Sequence, residues 1–563
     1  MRATSPAIGL LVLLGIGQFE LPQAVGVPPL GKIVKKAEEN KRNPPKPEQQ
    51  PPVKRRVLVT ISKETTYILG PLRPDGYPDY VAALNVYASK GVTPENNAAV
   101  LLWQAFGPKP IDEKARDRFF KKLGIPPLPE TGDYFIPFHE YARIVRESQE
   151  PAPEHDQGEK DDKQFARAME RPWLKKECPL VAKWLEANER PLKLLLEATK
   201  RPRYYAPLVG TTDDTLVMAV LLPTLSPSRE AARALKARAL FRLQAGKVAE
   251  AQADLLACHR LARLMGQGAT LVDGLVAISI DGIACSGDRM LGHFGRLGLE
   301  QARKVMAKID QLGPPTRILD KLAPGERFFF LDTVCDIARE GPEKASILTD
   351  GGTRQEETIG AALNRWLTNM VVDWDEVLRM GNSFYERLEQ AAAKPTHAQR
   401  KQAVATLDKE CRELARSNRE RVWIARREGE SLRSVAAQRM GGILLGLLTP
   451  AVSAVLTAEE RAATNMQLTQ LAFPLGAYRT EQGEYPAELA KLVPKYIAEL
   501  PKDVYTGADF RYRREGKGYV LYSLGPNGKD EGGRGYQMDP PPGEDEEVDA
   551  AADDIGFRTP AQR

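Results

Sequence analysis

The chain has 563 residues, of which 42% are hydrophobic and 28% charged, and its formal net charge is +5 at pH 7. That length is too great for one compact core, so we expect several units of ordinary soluble, globular composition. The charge is small and no basic patch with interleaved aromatic residues is present, which argues against nucleic acid as a partner.

Residues 1–26 have the pattern of a secretory signal peptide. Arg2 supplies a positive start, residues 7–17 are an apolar stretch, and Ala24-Val25-Gly26 places small residues before a cleavage point. The apolar stretch is shorter than the about 20 residues of a membrane-spanning helix. We therefore expect an exported protein that is periplasmic or associated with the cell envelope. The alternative is a disordered apolar N-terminus of a cytosolic protein.

Residues 27–56 are predicted to be a linker rich in proline and lysine, because so few apolar residues cannot form a core. A small, mainly helical domain follows at residues 57–147. It opens with a strand-like run at residues 57–61, and its helices are expected at residues 80–89, 94–106 and 112–123. Residues 148–163 are expected to be a second linker, acidic and polar.

Residues 164–456 are expected to form a helical body. Its clearest element is a helical hairpin at residues 229–264, which turns at Gly246-Lys247. The hairpin resembles one tetratricopeptide unit, but no second copy follows at a period of about 34 residues, so an ordinary hairpin is the simpler interpretation. The uncharged run at residues 440–456 is marginal as a membrane span. We expect a helix buried against the bundle, with membrane contact through residues 7–17 or 440–456 as the alternative.

The residue types that usually carry chemistry are dispersed along the chain. No Cys-x-x-Cys, phosphate-binding, serine-hydrolase or zinc-protease motif is present. We expect structural or solvated histidines, and buried thiols at Cys178, Cys258, Cys285, Cys335 and Cys411. Asp332 and Asp336 lie one helical turn apart. A neighbouring arginine such as Arg339 would offset their repulsion, and a metal ion is the alternative.

The C-terminal residues 457–563 carry the most informative pattern. An amphipathic helix is expected at residues 457–480, which Pro474 should bend or interrupt. Its inward-facing residues should include Met466, Leu468, Leu471, Phe473 and Leu475. A Tyr-Pro stop and a short second helix follow. Residues 510–514 and 519–524 should then pair as antiparallel strands, before a glycine-rich acidic loop and an acidic tail.

In this order, residues 457–563 resemble the C-terminal globular domain of the major pseudopilin of the bacterial type II secretion system. The resemblance rests on Leu-Val-Pro-Lys-Tyr-Ile at residues 492–497, Leu-Pro-Lys-Asp at 500–503 and Ser-Leu-Gly-Pro-Asn-Gly at 523–528. It implies a small α+β domain, a long helix plus an antiparallel hairpin, behind a mainly α, multidomain body. Pseudopilins begin with the hydrophobic helix that packs their filament, whereas this domain is C-terminal, so we do not expect ordinary polymerisation.

The resemblance also implies a calcium site. In major pseudopilins the matching loop binds a calcium ion that orders the C-terminus. Carried over by position, the ligands here are the Leu524 carbonyl with Asn527, Asp530 and Asp553 or Asp554. Asn527 stands where the family usually has aspartate, which predicts weak affinity. From composition alone, a solvated acidic tail is an equal alternative to a cation site.

These features predict an exported, envelope-associated interaction or scaffold protein that is not an enzyme, with protein partners in the cell envelope. The alternative is a secreted hydrolase whose site is assembled from carboxylates of the helical body. A large concave pocket that gathers carboxyl groups of perturbed pKa would favour the hydrolase. A flat helical surface would favour interaction.

Overall fold

The computed structural model describes residues 57–148, 157–212, 214–220, 222–315, 317, 321, 325–340, 372–415, 429, 431–535 and 552–559. Over these residues the protein is mainly helical, with a small antiparallel sheet of three strands near the C-terminus. The predicted signal peptide and the first linker lie outside the described residues, as does most of the acidic tail.

The helices, in chain order, are α1 (Tyr80–Ala88), α2 (Ala98–Phe106), α3 (Glu113–Leu123), α4 (Phe138–Glu147), α5 (Gln157–Glu170), α6 (Pro179–Ala187), α7 (Glu189–Ala198), α8 (Leu225–Gln244), α9 (Val248–Met265), α10 (Leu271–Phe294), α11 (Leu299–Asp310), α12 (Arg327–Glu340), α13 (Trp374–Ala392), α14 (His397–Ala415) and α15 (Leu432–Gln482). The short helix expected after the Tyr-Pro stop is a 3-10 turn, Leu489–Leu492. The strands are β1 (Arg511–Glu515), β2 (Gly518–Ser523) and β3 (Ile555–Arg558).

The strand-like run at residues 57–61 is not a strand, and that prediction is wrong. Its backbone donors bind side chains instead of a neighbouring strand. The Thr60 amide donates to Asp375 Oδ1 at 2.7 Å, and the Leu58 amide donates to Tyr77 Oη at 3.0 Å. The segment is therefore a strap that ties the start of the described chain to α13.

The linker predicted at residues 148–163 is also partly wrong, because α5 begins at Gln157. The Asp161 carboxylate is buried, accepts a hydrogen bond from Gln157 Nε2 at 3.0 Å and forms an ion pair with Arg146. This pair fixes a polar stretch whose composition alone indicates a linker, and it joins α5 to the end of α4.

Helices α8 and α9 form the expected hairpin, which turns at Gly246 with φ of +73°. Helix α10 packs against both helices of the hairpin. The five cysteines are buried thiols, as expected. Arg339 Nη2 lies 2.9 Å from Asp336 Oδ1, and Arg73 Nη2 lies 3.1 Å from Asp332 Oδ1. The arginine interpretation of the Asp332 and Asp336 pair is thereby confirmed.

Helix α15 joins the two main hydrophobic cores. The first core contains residues of α2 to α11 with the second half of α15 and the sheet. The second contains residues of α1, α12, α13 and α14 with the first half of α15. At 1.5 Å per residue, a helix of 51 residues is about 76 Å long. The boundary placed between residues 456 and 457 lies inside this helix.

The helix has defined ends and no break at Pro474. The Ser431 side chain accepts a hydrogen bond from the Ser434 amide at the N-terminus, and Gly483 ends the helix with φ of +81°. Residues 457–480 are helical as expected, but the expected start near residue 457 and an interruption at Pro474 are both wrong. A bend at Pro474 stays a prediction. Dense packing on each side of the proline compensates for its missing amide donor. The inward positions are confirmed as buried: Met466, Leu468, Leu471, Phe473 and Leu475.

The uncharged run at residues 440–456 is helical, and Met440, Leu444, Leu445 and Val455 lie in the second core as expected. Leu447 is exposed, and the side chains of residues 448–454 lie outside those that the structure describes. Over the described residues, no helix combines the length and apolar character needed to cross a membrane.

The predicted hairpin at residues 510–524 is confirmed as β1 and β2, which pair antiparallel with Tyr512 opposite Leu521. Strand β3, which no sequence pattern indicated, pairs antiparallel with β2, and Ser523 lies opposite Ile555. Tyr519 and Leu521 are buried and contribute to the first core.

Candidate cation site in the acidic loop

The sheet brings together two acidic segments that are distant in sequence. Strand β2 ends at Ser523 and leads into residues 524–535, which we call the acidic loop. Because β3 runs beside β2, the residues that precede it return to this loop, and Asp553 forms an isolated bridge with Gly535. Residues 553–555 therefore lie beside residues 523–528, as a calcium site built from both segments requires.

Two glycines allow the acidic loop to lie directly against the backbone of residues 553 and 554. At Gly525, φ is +62° and an added Cβ would lie 2.1 Å from the Asp553 carbonyl oxygen. At Gly535, an added Cβ would lie 2.0 Å from the Asp554 carbonyl oxygen. A side chain at either position would therefore separate the two segments.

Three carboxylates of this junction have an oxygen without a partner. Asp553 Oδ2 accepts from the Asn527 amide at 3.2 Å, and Asp554 Oδ2 accepts from the Gly533 amide at 2.8 Å. In contrast, Asp553 Oδ1, Asp554 Oδ1 and Glu531 Oε2 are buried without a hydrogen-bond partner among the described residues. Buried oxygens of this kind are unfavourable unless a further group, such as a cation or water, satisfies them.

The other predicted ligands are less available. Asp530 Oδ1 accepts from Tyr522 Oη at 2.9 Å and from the Gly532 amide at 3.0 Å. Asn527 Oδ1 accepts from the Lys529 amide at 2.6 Å. Leu524 is half-buried at the start of the loop. Both polar side chains would have to change partners to bind an ion.

The surroundings of Asp553 and Asp554 disfavour the charged form of both carboxyl groups. The pKa of Asp554 is raised to about 7, mainly by burial and also by the neighbouring Glu531 and Asp530, although hydrogen bonds from the Gly533 and Arg534 amides lower it. Burial and Glu531 also raise the pKa of Asp553, while the Asn527 amide, Arg461 and Lys401 oppose that shift. A cation would favour the charged form of both carboxylates, against the burial and the repulsion that raise their pKa values.

Among the described residues, no group of three or more His, Cys, Asp or Glu side chains stands close enough together to hold a metal ion. A cation in the acidic loop would therefore need neutral oxygens as well, such as the Leu524 carbonyl and the Asn527 amide oxygen. The ligand set implied by the resemblance omits one contributor, Glu531. Its place beside Asp530 in a glycine-rich loop was the available signal.

Asp503 holds the acidic loop against the segment that precedes β1. Its carboxylate is buried and accepts hydrogen bonds from Ser523 Oγ at 2.8 Å, from the Tyr505 amide at 3.0 Å and from Thr506 Oγ1 at 3.1 Å. Tyr505 is thereby placed beside the loop. Its hydroxyl is buried without a partner among the described residues.

Two acids of the body have strongly raised pKa values: Glu326, whose pKa burial raises to about 7, and Asp332, which is engaged in structural contacts. Burial raises the pKa of Asp332 to about 7 although Arg73 lowers it, and Asp332 Oδ2 accepts from the Val217 amide at 2.7 Å. A groove of about 260 Å³ lies between α7, α9 and α11. The carboxylate among its lining residues, Glu197, pairs with Lys200 at 2.7 Å.

Comparison of the chain with protein-family models, with curated proteins and with solved structures found no match in any of the three.

Proposed function

We propose that this protein is an exported interaction or scaffold protein of the bacterial cell envelope, and that its C-terminal part is a pseudopilin-like domain that binds one calcium ion in the acidic loop. The observation that carries the proposal is a set of three buried oxygens, on Asp553, Asp554 and Glu531, that have no partner within the described part of the chain. They lie at the junction of two segments that are distant in sequence.

Calcium suits this junction because it accepts six to eight oxygen ligands in flexible geometry, including backbone carbonyls and amide oxygens. Asp553, Asp554 and Glu531 would supply charged oxygens, and Leu524, Asn527 and Asp530 would supply the remainder. Local rearrangement of both sets would be needed, because no three described carboxylates stand close enough together to hold an ion. An ion in this position would offset the repulsion among the carboxylates. It would also hold β3 and the residues before it against β2.

The cation site can be tested by thermal unfolding of the full chain in millimolar calcium and in chelator. Calcium should raise the unfolding midpoint, because a ligand at a one- to ten-fold excess over its Kd stabilises the folded state by about 0.4–1.4 kcal/mol. The affinity expected from Asn527 is in the roughly 10⁻⁴–10⁻³ M range of extracellular modules. The variant pair Asp553→Asn, Asp554→Asn should abolish the shift. An equal shift in this variant would reduce the acidic loop to a solvated segment.

The interaction role is supported by the helical architecture of the body. Asp332, an acid on which the hydrolase alternative could draw, is held by Arg73 and by the Val217 amide. The second half of α15 packs against α10, α11 and the sheet, whereas the hydrophobic helix of a pseudopilin packs against other subunits of the filament.

Export can be tested by cell fractionation with mass spectrometry of the N-terminus. The proposal expects the protein in the envelope or periplasmic fraction, without residues 1–26. Recovery of the intact chain from the cytosol would contradict it.

A further inference from the structure

The groove between α7, α9 and α11 has an apolar floor. Its volume is about 260 Å³, and side chains from one outer face of α9 form most of that floor. Ala249 and Ala253 of this face are exposed, and Leu256 is half-buried. Leu196 is the apolar contribution of α7. The two alanines leave space that larger side chains would fill, so the groove presents apolar surface to a ligand from solution.

The rim of the groove is cationic. Arg260 of α9 and Lys308 of α11 line it, and neither forms a hydrogen bond or an ion pair with another residue of the described chain. The carboxylate of the lining, Glu197, is already paired with Lys200 at 2.7 Å. Within the described structure, two positive charges of the lining are thus left without a counter-charge. The groove therefore favours a ligand that carries a negative charge.

The two cations lie toward one end of the groove. Arg260 is the last residue of α9 in the lining, about 16 Å along the helix from Ala249. The end of α11 reaches the same part of α9, because the Gly313 carbonyl oxygen lies 3.4 Å from Arg263 Nε. Lys308 belongs to the last turn of α11. The positive end of the groove is thereby followed by an apolar stretch that continues toward Ala249.

We propose that this groove binds a small aliphatic carboxylate, with the carboxylate group against Arg260 and Lys308 and the alkyl chain along Leu256 and Ala253. Pockets for drug-sized ligands have volumes of about 300–1,000 Å³. A groove of about 260 Å³ therefore suits one unbranched chain and not a larger amphiphile. Contact with the floor supplies the hydrophobic part of the affinity, and the two cations fix the direction of the chain. This site is separate from the acidic loop.

Isothermal titration of the full chain with sodium decanoate tests the site. The buffer contains chelator, so that calcium neither precipitates the ligand nor occupies the acidic loop. We expect binding in the millimolar range or tighter. Decyltrimethylammonium carries a similar alkyl chain with the opposite charge, and it should bind far more weakly because Arg260 and Lys308 repel it. Equal binding of this cation would refute a carboxylate site.

Two sets of variants locate the bound decanoate. In Arg260→Gln, Lys308→Gln, the Kd should rise about three- to thirty-fold, because charges at a solvent-exposed rim each contribute modestly. The matched control, Lys193→Gln, Lys304→Gln, removes the same net charge from α7 and α11 at exposed positions outside the lining. Its Kd should equal that of the unaltered protein. Ala253→Phe fills the groove from an exposed position, so it should abolish binding and leave the unfolding midpoint nearly unchanged.

Three further results would overturn the proposal. The first is an unaltered protein that does not bind decanoate at millimolar concentration. The second is an unchanged affinity in Ala253→Phe, which would place the ligand elsewhere on the surface. The third is loss of binding in Ala253→Phe with an unchanged affinity in Arg260→Gln, Lys308→Gln, which would make the groove an apolar site without preference for carboxylates. The cation site is unaffected by any of these results, because calcium titration tests it separately.

Discussion

His259 is a buried ionisable side chain of the body with a carboxylate at each of its two ring nitrogens. Its imidazole is fully buried between two carboxylates of α10, with Nδ1 2.6 Å from Asp281 Oδ1 and Nε2 2.8 Å from Asp288 Oδ2. Arg263 Nη1 also binds Asp281 Oδ1, at 3.0 Å. Burial alone would lower the pKa of His259, but the hydrogen bonds and charges of both aspartates outweigh it and raise the pKa to about 9.

This raised pKa predicts a definite dependence of stability on pH. Because the folded pKa lies above the unfolded value of 6.5, the contribution of His259 to stability is complete below about pH 6.5 and is lost as the pH rises through about 9. The variant His259→Gln should therefore be less stable than the unaltered protein by roughly 3 kcal/mol at pH 6. The difference should narrow by pH 9.5.

Urea unfolding at both pH values measures the difference. His139→Gln is the control, because the His139 side chain is 63% exposed, and it should change stability little at either pH. A difference for His259→Gln that is constant or grows with pH would contradict a charged imidazole.

At the scale of elements, the contact between α10 and α15 depends on two glycines. An added Cβ at Gly476 would lie 2.1 Å from the carbonyl oxygen of Gly292, which is a backbone atom that cannot turn away. We expect Gly476→Ala to destabilise the protein by about 2–4 kcal/mol, because the helices would have to separate.

The same helix offers a matched control. Gly446 lies within α15 and has no atom within 4 Å of an added Cβ. Gly446→Ala should stabilise the protein by about 0.5–1 kcal/mol, because alanine favours a helix interior. Thermal unfolding of both variants gives the comparison. If Gly476→Ala left the free energy of unfolding unchanged, α10 and α15 would not be in close contact at this position.

Local patterns predicted the elements that depend on local forces. Alternating apolar residues identified the β1–β2 hairpin, and helical periodicity identified the inward residues of α15. Strand β3 could not be predicted, because four residues after a long acidic stretch carry no pattern of their own and become a strand only through pairing with β2. Pro474 favours a helix break locally, yet burial of Leu471, Phe473 and Leu475 overrides it.

In the candidate site, too, some residues could be predicted from the sequence and others depend on contacts between distant segments. The sequence and the resemblance indicated Asp553 and Asp554, because they carry the matching motif. Glu531 could not be chosen over Asp530 without knowing which carboxylate the loop turns inward. The ring contact of Tyr505, beside the loop, with His397 of α14 joins residues 108 positions apart, and no spacing in the sequence indicates it.

For the whole molecule, α15 makes the C-terminal part dependent on the body. Met466, Leu468 and Leu475 lie in a core that includes α8, α9 and α10. We expect residues 457–563 alone to lack a fixed fold, because separation from the body would expose these side chains to water.

Near-ultraviolet circular dichroism and thermal unfolding of that fragment test the expectation. The full chain under the same conditions is the comparison. A cooperative unfolding transition in the fragment would show that the sheet and the second half of α15 suffice as a domain, and that the boundary at residue 457 is a real one.

Helix α15 also restricts how the length of this chain can change. Since each residue of an α-helix turns the chain by about 100°, one residue inserted between the two cores would rotate one core by more than a quarter turn relative to the other. The insertion would move Gly476 away from Gly292 of α10, or Glu460 away from His397 and Arg400 of α14. An insertion at the Gly246-Lys247 turn would leave these alignments intact. Variants with altered length should therefore retain the spacing from Glu460 to Gly476 and concentrate their insertions in surface turns.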